Sequence, residues 1–183
     1  MTFGAFLDTN VLYGALLNDL ILELADRGLF RPLWSRDVLF ELSKNLVKNG
    51  EPPELVEKRV GVMERYFVDA IVTGYEDLVP SMRNDPKDRH VLAAAVRGAA
   101  EVIVTFNLKD FPAGSVANFD LEVIHPDAFL LDLLDIYRAS TLRAIVDLVE
   151  AYDSPAMTID DYLLALKRSG VPQFAAAVSD RLY

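Results

Sequence analysis

The 183-residue chain contains no cysteine. Disulfides and thiolate zinc sites are therefore excluded, and a reducing compartment suits the composition. Histidine is nearly as scarce. His90 and His125 stand too far from any second His or Cys to suggest zinc. No run approaches the ~18 uninterrupted apolar residues that a membrane span needs. The residues from Thr2 to Asp8 include no basic stretch of the kind that opens a secretory signal. The expectation is a cytoplasmic protein with no membrane partner. Positive charge is also in deficit. The 18 Lys+Arg face 28 Asp+Glu, for a net charge of −10. Generic binding to polyanions depends on excess Lys and Arg, so the composition argues against it. Neither GxGxxG nor GxxxxGK[ST] occurs, which removes the usual nucleotide-binding loops.

What is present is a hydrophobic fraction of 52%, too high for a disordered chain. The length suits one domain with a small appendage. Phe3 to Leu7 is a short apolar run ending at Asp8. Helical spacing of apolar residues follows from Val11 to Arg27, with Gly28 as a stop. Phe30 to Trp34 reads as a strand if Pro32 lies near an edge or a strand start. Ser35 caps a helix through Val47, and Pro52-Pro53 opens another over about 54–68. Ala70 to Thr73 reads as a strand. Asp85-Pro86-Lys87-Asp88 starts a helix, with Asp85 as N-cap and Asp88 three residues on. Val102 to Val104 and Leu121 to Ile124 complete the strands. This alternation predicts an α/β unit over residues 1–126 with a parallel sheet. From there to the end, over 127–183, four helical patterns follow one another with no strand between them.

In an open parallel sheet, ligands bind beyond the carboxyl ends of the strands. Asp8 ends the first strand, and Asp110 lies in the loop after Val104. Asp88 falls in the first turn of the helix leading into that strand. Glu41 flanks the apolar stripe of Val38, Leu39, Leu42 and Leu46. Each acid alone is a common turn, cap or solvated residue. Asp88 in particular is suited to completing a capping box with Asp85. Taken together, carboxylates with no nearby His or Cys select hard cations, Mg²⁺ or Mn²⁺. Such a site activates water for attack on a phosphodiester.

Four blocks carry a resemblance to the PIN-domain ribonucleases, and within them to VapC-type toxins of toxin–antitoxin pairs. They are Phe6-Leu7-Asp8-Thr9-Asn10-Val11-Leu12, Ser35-Arg36-Asp37-Val38-Leu39-Phe40-Glu41-Leu42, Asp85-Pro86-Lys87-Asp88-Arg89-His90 with its alanine-rich continuation, and Val104-Thr105-Phe106-Asn107-Leu108-Lys109-Asp110-Phe111. The resemblance implies a PIN-like three-layer fold, a central parallel sheet flanked by helices, with an all-helical C-terminal extension. It implies metal-dependent hydrolysis of RNA by Asp8, Glu41, Asp88 and Asp110. Some members of the family place an acid where Asn107 stands. Thr9, Asn10, Asp85 and Asn107 are the supporting residues. Control by a small antitoxin is implied as well, and dimers are common among similar proteins.

Lys44, Arg83, Lys87, Arg89 and Lys109 are candidate phosphate contacts, each equally readable as solvated surface. Two other functions compete. A degenerate scaffold would bind RNA or protein without cleaving. A phosphatase of the haloacid-dehalogenase type would need a second Asp two positions after the first, where this chain has Asn10. The acidity itself fits a metal enzyme. Residues 1–125 carry 13 Lys+Arg and 19 Asp+Glu, and five of those acids are Asp8, Glu41, Asp85, Asp88 and Asp110. Bound cations would reverse the local sign where a phosphate approaches.

Overall fold

The computed structural model describes residues 2–182. The sheet has five strands, all parallel: β1 (Gly4–Leu7), β2 (Arg31–Ser35), β3 (Ile71–Val72), β4 (Val102–Val104) and β5 (Glu122–Ile124). Their spatial order is β3-β2-β1-β4-β5. The flanking helices of this α/β part are α1 (Thr9–Tyr13), α2 (Ala15–Asp26), α3 (Arg36–Lys48), α4 (Pro53–Tyr66), α5 (Arg89–Arg97) and the short α6 (Ala113–Val116). The extension is α7 (Pro126–Ile136), α8 (Arg138–Ala151), α9 (Ile159–Arg168) and α10 (Pro172–Leu182). No described helix is long and apolar enough to cross a membrane.

β1 is the centre of the sheet, and Ala5, Phe6 and Leu7 are wholly buried. An uninterrupted apolar run is what a strand covered on both faces requires. From β1 the chain winds to β2 and β3 on one side, then crosses to β4 and β5 on the other. The strand order therefore reverses at β1 and β4, and a crevice opens beyond their carboxyl ends. Asp8 follows β1 directly and Thr105 follows β4.

Pro32 lies inside the sheet and not at its edge, because β2 pairs with both β1 and β3. It is tolerated because β3 reaches only Trp34 and Ser35, while Pro32 stands opposite Ala5 of β1. At the start of the strand a missing N–H costs no ladder bond on the β3 side. The helix expected over Val11 to Arg27 is broken at Gly14, whose backbone is extended. Apolar spacing continues across the break, so periodicity cannot reveal it. Arg59 of α4 receives the end of α1, donating to the carbonyl oxygens of Leu12 and Tyr13. The segment after Asp85 begins as a tight turn over Pro86–Asp88 and becomes α-helical at Arg89. The strand expected over Ala70 to Thr73 shrinks to Ile71–Val72.

The extension packs onto the α/β part through α2 and the Phe3–Phe30 corner. Phe129 of α7 meets Phe30 edge-on at 5.1 Å between ring centroids, and Phe3 at 6.3 Å. Aromatic pairs of this kind add roughly 0.5–1.5 kcal/mol beyond their area burial. Arg27 at the end of α2 pairs with Asp147 of α8 at 2.7 Å. Tyr152 donates to Asp19 at 2.8 Å. Thr158 and Asp161 close a reciprocal capping box at the start of α9.

Candidate active site

The sequence places Asp8 at a strand end, and the fold then surrounds it. Its Oδ1 accepts the Thr9 N–H at 2.7 Å, which caps α1. Its Oδ2 accepts the Thr105 hydroxyl at 2.8 Å and the Asn10 amide at 2.9 Å. Asp8 is only 5% exposed. Burial raises its pKa above the ordinary carboxylate value, against the opposing pull of these hydrogen bonds. Thr105 works as a hub. Besides donating to Asp8, its oxygen accepts from Asn10 at 3.2 Å and from the Asn107 N–H at 3.0 Å. Asn10 completes the link by accepting the Phe106 N–H at 3.1 Å. Every polar atom of the Asn10 side chain is thus used to tie the strand-end loops together. As an amide so committed, it has no acidic proton to offer a leaving group, the feature a haloacid-dehalogenase mechanism requires.

Glu41 reaches the same cleft from α3, whose Ser35 cap accepts the Val38 N–H at 3.2 Å. One carboxylate oxygen accepts the Thr9 hydroxyl at 3.0 Å. The other lies 3.3 Å from Nε2 of His90. Contact with His90 is the largest influence lowering the Glu41 pKa. Burial opposes a charge on His90, but Glu41, helped by Asp37 and Asp8, outweighs it and raises the imidazole pKa. His90 thus corrects the expectation that no His lies near the acids. Its placement at the second residue of α5, within reach of Glu41 on α3, gave no local signal.

Asp88 does not close the capping box expected of it. Asp85 accepts the Lys87 N–H at 3.1 Å, but its own N–H goes to the carbonyl of Asp110 at 3.0 Å. The Asp88 carboxylate is left facing the cleft, with a buried Oδ2 that has no hydrogen-bond partner. Burial first, and the charge of Asp8 second, push its pKa up to about 6. Asp110 sits apart. It is buried, and its Oδ2 lies 3.3 Å from the Lys87 ammonium, which also stands 3.8 Å from Asp88.

Asp8, Thr9, Asn10, Glu41, Asp88 and Asn107 line one cleft of about 350 Å³, together with Tyr13, Asn45 and Asn49 of α1 and α3. Asp110 and Asp85 are not part of this lining. None of Lys44, Arg83, Lys87, Arg89 and Lys109 forms part of it. Lys44 is close enough to lower the Glu41 pKa, and Lys87 is tied to the acids. Arg83 and Arg89 turn to the backbone oxygens of Pro80 and Asn84. A larger hollow of about 620 Å³ lies beside β5, away from these acids, and is lined mainly by apolar residues.

The residues present fit a hard divalent cation in kind. Oxygen is the only donor type that the acids and Asn107 offer, and the buried Asp88 Oδ2 is unsatisfied. Among the described residues, however, no three His, Asp or Glu side chains converge closely enough to form a cage. Glu41 is drawn to His90, and Asp110 to Lys87. The donor set therefore suits an ion that keeps several waters and takes one or two carboxylates, which is the habit of Mg²⁺.

A PIN domain family model matches residues 5–109, and a VapC50 C-terminal domain model matches residues 126–180. The chain is similar to the protein named Putative ribonuclease VapC50 from Mycobacterium tuberculosis (strain ATCC 25618 / H37Rv), with 51% identity over 107 residues. That alignment covers 58% of this chain and 63% of the relative, so the chain spans less than two thirds of the relative's length. No solved structure matches the chain. The match to the PIN domain covers more than half of the residues and includes Asp8, Glu41, Asp88 and Asn107. By sequence and by its five-stranded parallel sheet with flanking helices, the chain belongs to the PIN domain family.

Proposed function

We propose that this protein is a divalent-metal-dependent endoribonuclease, the toxin of a type II toxin–antitoxin pair acting in the cytoplasm. Residues 1–126 form the nuclease unit and 127–183 the extension. One observation carries the reading. Asp8 and Asp88 face a single cleft, where burial and the charge of Asp8 oppose ionisation of Asp88. A pair of carboxylates arranged so is disfavoured unless a cation joins it.

Asp8 and Asp88 would hold Mg²⁺ or Mn²⁺ directly, with Glu41 and Asp110 acting through the ion's waters and Asn107 offering a neutral carbonyl. The bound ion supplies charge neutralisation at the scissile phosphate and a water acidic enough to attack it. The chain's own residues prepare the site. Thr105 and Asn10 hold Asp8 in one orientation. Thr9 holds Glu41 through its hydroxyl. His90, in contact with Glu41, can take or return a proton at Nε2. Lys87 offsets the charge of Asp88 and Asp110 at the cleft margin.

A small antitoxin encoded alongside is the partner that would obstruct the cleft. The test is induction of the full chain alone and of Asp8→Asn, followed by mapping of the 5′ ends of accumulated RNA fragments. Discrete cut sites that depend on Asp8 support the reading. Indistinguishable RNA from the two strains would support a non-cleaving scaffold instead.

A further inference from the structure

The acids occupy only one end of the cleft. The other end is a wall of Tyr13, Asn45 and Asn49. Glu41, Asn45 and Asn49 recur every four residues on α3, so they form one stripe, while Val38, Leu42 and Leu46 are buried on another side of the helix. Four residues advance the helix by about 6 Å. The two amides therefore lead away from the catalytic acid in steps of that size.

These amides differ from Asn10. Asn10 is fully consumed by Asp8, Thr105 and Phe106. Asn45 makes no side-chain hydrogen bond among the described residues. Asn49 makes one, donating to the Tyr13 hydroxyl, which leaves its carbonyl and second N–H free. The Tyr13 hydroxyl still has its proton to donate. Tyr13 is half-buried and pinned, because Arg59 grips the carbonyl oxygens of Leu12 and Tyr13. The wall thus combines an anchored aromatic ring with free donor–acceptor groups and carries no charge. An uncharged wall can hydrogen-bond a phosphate but gives it no charge to pair with. It does match an unstacked base, which offers a π-face and an edge of donors and acceptors.

We propose that Tyr13, Asn45 and Asn49 form a nucleobase subsite that selects the base of single-stranded RNA lying next to the scissile phosphate. This rests on the nuclease reading above for its substrate class. Four fluorescent eight-nucleotide RNAs, each of a single base, are titrated in Mg²⁺ against the full chain carrying Asp8→Asn. The expected result is a preference for one base. Tyr13→Ala then weakens the preferred RNA about fivefold or more. Asn45→Ala and Asn49→Ala, both at exposed positions, bring the four affinities together without moving the thermal melt. Tyr13→Phe guards against misfolding, since it keeps the ring and removes only the hydroxyl. Four equal affinities, or an unchanged ranking in all the variants, overturn the subsite. Cleavage by the unsubstituted chain is measured separately. Absent cleavage with an intact base preference sinks the nuclease reading alone, and cleavage with unmoved affinities sinks the subsite alone.

Discussion

The hydroxyl of Thr105 donates to Oδ2 of Asp8 at 2.8 Å, joining the ends of the two strands where the sheet order reverses. Both groups are buried. Thr105→Val keeps the shape and removes the donor. A hydrogen bond to a charged group contributes roughly 1.5–3 kcal/mol. The variant should fold, lose stability within that range in urea denaturation, and cleave RNA at least about tenfold more slowly. Unaltered cleavage would show that Asn10 and the Thr9 N–H hold Asp8 without it.

The acids themselves are tested by isosteric amides. Asp8→Asn, Glu41→Gln and Asp88→Asn should each abolish Mg²⁺- or Mn²⁺-dependent cleavage and leave the circular dichroism spectrum unchanged. EDTA should stop the parent enzyme, and excess Mg²⁺ should restore it. Full activity in any of the three variants, or in chelator, contradicts a shared metal site.

Asp88 also makes a prediction about stability. Its folded-state pKa of about 6 lies above the ordinary 3.8. The unfolded chain therefore loses this proton first, and ionised Asp88 opposes folding as pH rises from about 4 through about 6. In EDTA at pH 7.5, Asp88→Asn should melt above the parent, and the gap should close below about pH 4. A lower melting temperature at pH 7.5 would mean that the carboxylate has a partner it is worth keeping charged for.

Gly170, between α9 and α10, has φ of +94°, and a Cβ there would lie 2.7 Å from Cε1 of Phe106. Phe106 sits between Thr105 and Asn107 and meets His125 edge-on at 5.1 Å. Gly170→Ala should cost more than the ~1 kcal/mol expected of a left-handed glycine alone, and should lower cleavage by disturbing the loop that carries Thr105 and Asn107. Gly28→Ala is the control, with φ of +74° and nothing within 4 Å of its Cβ. Equal losses of stability, with activity kept in both, would separate the extension from the site.

Asp127 of α7 accepts the N–H groups of Phe174 at 2.8 Å and Gln173 at 3.1 Å, capping α10 from another helix. It is 4% exposed. Asp127→Ala leaves the buried Phe174 N–H and the part-buried Gln173 N–H unpaired and should destabilise the chain by about 2–3 kcal/mol, whereas Asp127→Asn should cost roughly half of that. Denaturant midpoints distinguish the two.

Much of this was legible in residues close together in the chain. Ser35 caps the helix that its position predicts, because capping is a contact across three residues. The breaks before α9 and α10 fall at Ser154-Pro155 and Gly170-Val171-Pro172, whereas α7 gives way to α8 at Tyr137 with neither Pro nor Gly to mark it. Other features were hidden for an equally physical reason. Asp85 and Asp88 have capping-box spacing, yet Asp110, distant in sequence, takes the Asp85 N–H and frees Asp88 for the cleft. The stripe of Glu41, Asn45 and Asn49 was readable as a period of four, but nothing local says that Tyr13 faces it.

Sequence alone determined the α/β class, the helical extension and the acids at strand ends, because periodicity, caps and strand termini are short-range properties of the chain. Tertiary structure alone decided which acids share a cleft. Asp8, Glu41 and Asp88 line it, while Asp110 pairs with Lys87 outside the lining and Glu41 contacts His90. Those choices depend on contacts between groups tens of residues apart, and on burial, which sets how strongly each charge is felt.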